Sequence, residues 1–79
     1  MTVERFYQKY KDNTGAVFAT AVWWCKTAPE VLQVGAFRDG VMSQQVFKSD
    51  PVPDTHAGLA LARRRLARYA SRRCWHKIG

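Results

Sequence analysis

Arg64, Arg68 and Arg72 recur at i, i+4 and i+8, with Arg65 beside them and Arg63 and Arg73 on either side. On a helix this spacing stacks three guanidinium groups about 6 Å apart along the axis. A guanidinium is a planar fork that grips phosphate or carboxylate through two parallel hydrogen bonds. Like charges one turn apart destabilise a helix by roughly 0.2–0.5 kcal/mol per pair. No carboxylate close in sequence offsets them. Arg72 and Arg73 would gain from the negative end of the helix dipole, but Arg64 and Arg65 lie too far from it. The chemistry this pattern offers is anion binding. The plainer alternative is a solvated face that confers solubility, braced in space by Glu4, Asp12 or Glu30.

The charge distribution favours a contact surface. Residues 1–54 hold six basic and six acidic side chains, whereas residues 55–79 hold six arginines and Lys77 with no acid, so the net +7 resides entirely in the last 25 residues. Unbalanced charge of one sign is a self-repulsion that an anionic partner relieves. The candidate anion-binding residues are therefore Arg63, Arg64, Arg65, Arg68, Arg72, Arg73 and Lys77.

Aromatic residues form a second candidate set: Trp23, Trp24, Tyr69 and Trp75. Adjacent strand residues point to opposite sides, so Trp23 and Trp24 cannot share one core. The outward indole would stack a nucleic-acid base or anchor a protein interface. Alternatively it is covered by Trp75 and the C-terminal tail, or by a second copy of the chain.

Other constellations offer less. Cys25, His56, Cys74 and His76 are four soft ligands, but their spacing fits no zinc knuckle, so no metal is expected. Asp54-Thr55-His56 reads as a helix cap and first turn, not as part of a catalytic set with Cys25. No phosphate loop, paired carboxylates or nucleophile motif accompanies it, so neither an enzyme nor a cofactor is expected. In 79 residues the apolar side chains are needed to close the core, which argues against a deep small-molecule cavity.

Class follows from the same inventory. The composition fits one globular domain, residues 1–79, with 47% hydrophobic residues. No run reaches the roughly 18–20 apolar residues of a bilayer span, and the start lacks a secretory layout. Two cysteines are too few for a disulfide framework, which favours reduced thiols and a cytoplasmic setting.

The elements that would position these residues read as follows. Val3–Lys11 fits both a helical stripe and a strand; the turn-like Asp12-Asn13-Thr14-Gly15 that follows favours the strand. Ala16–Cys25 and Val31–Phe37 read as strands, separated by a Lys26–Glu30 loop. Asp39-Gly40 predicts a type I′ hairpin into a strand over Val41–Lys48. Residues 49–53 read as a proline-containing linker that ends the sheet. Asp54 or Thr55 caps a helix over 54–73, with Leu59, Ala62, Leu66, Tyr69 and Ala70 on its apolar face, Cys74 at the flank of that face, and 74–79 as a tail. Gly58 would let this helix approach the sheet closely. The fold class is α+β: a small antiparallel meander of three to four strands with one long basic helix packed across one face.

Three strands followed by a basic helix resemble the double-stranded-RNA-binding domain, more so if residues 3–11 are helical. That family opens its last helix with a lysine pair, where this chain reads Pro53-Asp54-Thr55-His56. In style, a small motif-free chain with an arginine- and alanine-rich helix also resembles phage-borne anti-CRISPR proteins. That likeness implies a stoichiometric inhibitor of a bacterial defence complex. Expected partners are thus nucleic acid or an acidic surface of a nucleic-acid-handling complex, with neither a membrane nor a small-molecule substrate. A structural or self-associating domain is the remaining alternative.

Overall fold

The computed structural model describes residues 2–39 and 44–79. Its elements are β1 (Thr2–Lys11), β2 (Val17–Cys25), β3 (Ala28–Arg38), β4 (Gln44–Pro53), α1 (His56–Arg72) and β5 (His76–Ile78). The strands form one antiparallel five-stranded sheet in the order β4-β3-β2-β1-β5, and α1 packs across one face. The expected α+β meander with its C-terminal helix is therefore present, though the helix has only 17 residues. The Asp39-Gly40 turn and the start of the strand expected at Val41 lie outside the described residues.

Alternation decides the two faces. Phe6 and Tyr10 of β1, Phe18, Val22 and Trp24 of β2, Leu32, Val34 and Ala36 of β3, and Phe47 and Val52 of β4 turn toward α1. There they pack with Leu59, Ala62, Leu66 and Ala70. The opening segment is a strand, as the following turn required. Asp12 Oδ1 accepts from Thr14 N, Thr14 Oγ1 and Ala16 N, and Gly15 takes φ +88° to close the loop. Those donors, the Thr14 hydroxyl foremost, hold the Asp12 carboxyl below the usual carboxylate range.

Beyond shifts of one or two residues at other element ends, segments expected as linker, loop and tail belong to the sheet. The segment 49–53 is not a linker: β4 continues through Pro51 to Pro53. It is an edge strand, where the missing proline N–H breaks no ladder bond, and a register shift opposite Leu32–Val34 absorbs the irregularity. Ala28–Glu30, expected in a loop, already belongs to β3; only Lys26 and Thr27 turn.

The tail also orders. Arg73 caps α1, and Cys74 follows in the left-handed region at φ +58°. Cys74 N–H donates to Ser71 O and Trp75 N–H to Ala70 O, the paired bonds of a Schellman stop. The chain then reverses and adds β5 antiparallel to β1 over Lys9–Lys11. Cys74 is not a packing residue on the helix flank; it occupies the position glycine normally takes, because the reversal needs a positive φ. An L-residue there costs roughly 1–2 kcal/mol. Cys74→Gly is expected to stabilise the domain by about 1 kcal/mol, read as a higher midpoint in urea at unchanged m-value.

Candidate anion-binding face

The helix begins where Thr55 Oγ1 accepts from Gly58 N at 3.0 Å, and the neighbouring Asp54 is fixed to Arg5 at 3.3 Å. Arg5 reaches it from a bulge in β1 between Glu4 and Phe6. Because Gly58, Ala62, Leu66 and Ala70 are buried against the sheet, 3.6 periodicity sends Arg64 and Arg68 to the far side. Arg63 and Arg65 then fall on the two flanks.

The flanks are unlike. Toward β1, Arg63 lies over the Phe6 ring, 4.8 Å from its centroid. With Arg64 and Lys77 it rims a depression of about 250 Å³ floored by Phe6, Tyr10 and Leu66. Toward β4, Arg65 donates to Ser49 Oγ and to the Asp50 carbonyl, at 3.4 Å each. There Arg65, Arg68 and Arg72 edge a second depression of about 170 Å³ lined also by Phe47, Ser49 and Tyr69. Arg73 lies 6.0 Å from the Tyr69 ring at the end of the helix.

All seven predicted basic residues thus lie on one side of the molecule, but not in one row. Arg64 joins Arg63 and Lys77, while Arg65 joins Arg68 and Arg72. Lys77 reaches the first group only because β5 folds back onto β1. The Ser49 contact had no signal in the sequence, since residues 49–53 read as a linker there.

Internal carboxylates do not neutralise this face. Among the described residues the ion pairs are Arg5–Asp54 at 3.3 Å and Lys9–Asp39 at 3.1 Å, and neither uses a helix arginine. Of the three carboxylates that would have braced the helix, Asp12 is spent on its own turn, and Glu4 and Glu30 form no ion pair there. Arg64, Arg68 and Arg72 form no hydrogen bond to another side chain or carbonyl among the described residues. Their guanidiniums remain available to solvent or to a ligand.

The aromatic candidates separate sharply. Trp75, expected at the contact surface, is only 7% exposed and stacks on Phe18 with ring centroids 4.3 Å apart. Tyr69 stacks on Phe47 at 4.1 Å and meets Trp75 edge-on. Trp24 packs on the helix side and donates its indole N–H to the Pro29 carbonyl. Three of the four are therefore engaged in or against the core, because a small domain uses its largest rings to close itself. Trp23 faces the opposite side of the sheet, and Trp75, packed under the helix, does not cover it. No three of His, Cys, Asp and Glu come together as metal ligands among the described residues. No helix among them is long and apolar enough to cross a membrane.

No protein-family model matches the chain, and no curated protein or solved structure shows significant similarity to it. The helical first segment that would have strengthened the likeness to the double-stranded-RNA-binding domain is a strand here.

Proposed function

We propose that this chain is a non-enzymatic binding protein whose α1 face docks on the phosphates of a nucleic acid. One observation carries the reading: the helix arginines stand exposed and unmatched while the chain's own ion pairs are made elsewhere. A helix crest bearing Arg64, Arg68 and Arg72, with basic-lined depressions on both flanks, suits a repeating anion better than a single one.

An acidic protein surface is the competing partner, and the aromatic geometry weighs against it. Protein interfaces draw their affinity from a few large side chains buried at the centre of the patch. Here Trp75 is buried against Phe18 and Tyr69 is stacked on Phe47, so little aromatic surface is left on this face beside its charge. Phosphate contact needs no such anchor and carries little sequence information.

Fluorescence anisotropy with duplex and single-stranded DNA and RNA of mixed sequence tests the proposal. Micromolar binding at low salt is expected, with little sequence preference. The plot of log affinity against log salt should have a slope of about −3 or steeper. Absence of binding at low salt transfers the face to an acidic protein partner, which an inhibitor of a defence complex would engage.

A further inference from the structure

The side of the sheet away from α1 is covered by no described element. Register sets Glu4 of β1 directly opposite Trp23 of β2, and Tyr7 opposite Ala21. On β3 the neighbours are Gln33, Gly35 and Phe37, and Lys48 of β4 lies opposite Gly35. Trp23 leans from β2 over Gly35, where a Cβ would lie 3.3 Å from the indole Cη2, so glycine gives the ring room to settle against the sheet. Phe37 meets it with centroids 5.5 Å apart and planes tilted at 52°. The indole is therefore not stacked and keeps a face for another ring. Trp23, Phe37 and Glu4 line a shallow depression of about 310 Å³ together with Ala21, which is buried.

We infer that this depression receives an unpaired base of a nucleic-acid strand and favours bases with an exocyclic amine. The first support is the order of groups across the strands. Glu4 stands on one side of the indole and Lys48 on the other, and neither forms an ion pair among the described residues. Three strand spacings, about 14 Å, separate β1 from β4. Carboxylate, ring and ammonium in that order complement an amino group, a flat apolar body and a phosphate, which is the layout of one nucleotide. Any base can stack on an aromatic ring. The carboxylate supplies the choice, because it accepts hydrogen bonds and donates none. Cytosine offers it an N4 amino group, where uracil offers only a carbonyl oxygen.

The second support is size. Glu4, Lys9, Gln33, Gln45 and Lys48 surround the rings, which confines the apolar patch to Trp23, Phe37 and Tyr7, the first two half-buried. That suits a base and falls short of the ~1,000 Å² of a specific protein interface. Bases paired in a duplex cannot enter. The site therefore adds to the α1 proposal with different residues: α1 meets phosphates of any strand, and the depression meets bases only where they are unpaired.

Indole-quenching titrations of the full chain with oligocytidine and oligouridine of equal length test the inference. Oligocytidine is expected to quench and to bind at least ~5-fold more tightly than oligouridine. Glu4→Gln should abolish that difference and leave the quench, because an amide both donates and accepts. Glu4 is exposed, so the far-UV circular dichroism of this variant should match the parent's. Trp23→Phe should lose the quench yet bind oligocytidine about as well. Trp23→Ala should bind it ~10-fold or more weakly and bind duplex DNA unchanged.

The inference is overturned if oligocytidine does not quench, if oligouridine binds as tightly, or if Glu4→Gln keeps the preference for cytosine. It is also overturned by a mass in sedimentation that doubles from 9.0 kDa and falls back in Trp23→Ala, since that gives the face to a second copy. The two proposals fail separately. No quench alongside salt-dependent binding in the parent removes this site alone. A quench that persists while the triple Arg64→Gln, Arg68→Gln, Arg72→Gln variant keeps the parental salt slope removes the α1 proposal alone.

Discussion

Gly58→Ala is expected to destabilise the domain by about 3 kcal/mol, against the gain of up to ~1 kcal/mol that the same change brings in an unobstructed helix. The sign is set by the backbone of β4. Its last residue, Pro53, is followed by a two-residue connection, and α1 starts at His56. That short reversal presses the first turn of the helix onto the strand it has just left. A Cβ on Gly58 would overlap the Pro53 carbonyl oxygen, with the Pro53 carbonyl carbon 2.9 Å away. The obstacle is backbone, so no side-chain rotation relieves it. The same carbonyl accepts from Thr55 N at 2.8 Å, which ties it to the cap. Moving the helix outward would loosen Leu59, Ala62 and Leu66 from Leu32 and Val52. A loss of this size is a large share of the ~4–12 kcal/mol typical of 79 residues. Urea titration checks it, and a variant as stable as the parent refutes the close approach.

Arg64→Gln, Arg68→Gln and Arg72→Gln combined should reduce affinity for duplex DNA several-hundred-fold at about 0.1 M salt and flatten the log–log salt slope by about 2.7. Every phosphate left without its cation takes roughly 0.9 from the slope, and these three guanidiniums are the ones with no protein partner. Arg65 is left in place because its bonds to Ser49 and the Asp50 carbonyl give it a structural role as well. Folding should be unimpaired or slightly improved, since like charges one turn apart are removed. Lys11→Gln with Lys48→Gln, on the other side of the sheet, should alter the slope little. If the triple variant keeps the parental slope, the helix crest does not touch the phosphates and the charge there serves solubility.

Legibility varied along the chain with the range of the interactions involved. The β2 and β3 strands, the Asp12–Gly15 turn and α1 with its Thr55 cap were readable because each rests on local chemistry. Alternation also placed Trp23 and Trp24 on opposite faces without any coordinates. The exposed arginine crest followed from periodicity once Ala62, Leu66 and Ala70 were taken as the buried stripe.

What the chain alone determined, then, is the type of most elements, the segregation of charge into residues 55–79, and the amphipathic helix that carries it. These depend on contacts a few residues apart. Tertiary structure decided the rest. It let β4 run through Pro51 and Pro53, because only sheet order makes that strand an edge. It forced Cys74 into a glycine-like conformation, because Trp75 must reach Phe18 and β5 must reach β1. It divided the arginines between two flanks, because burial of one helix stripe fixes the rotation of all the others. And it left Trp23 uncovered, because the single helix covers only one side of the sheet.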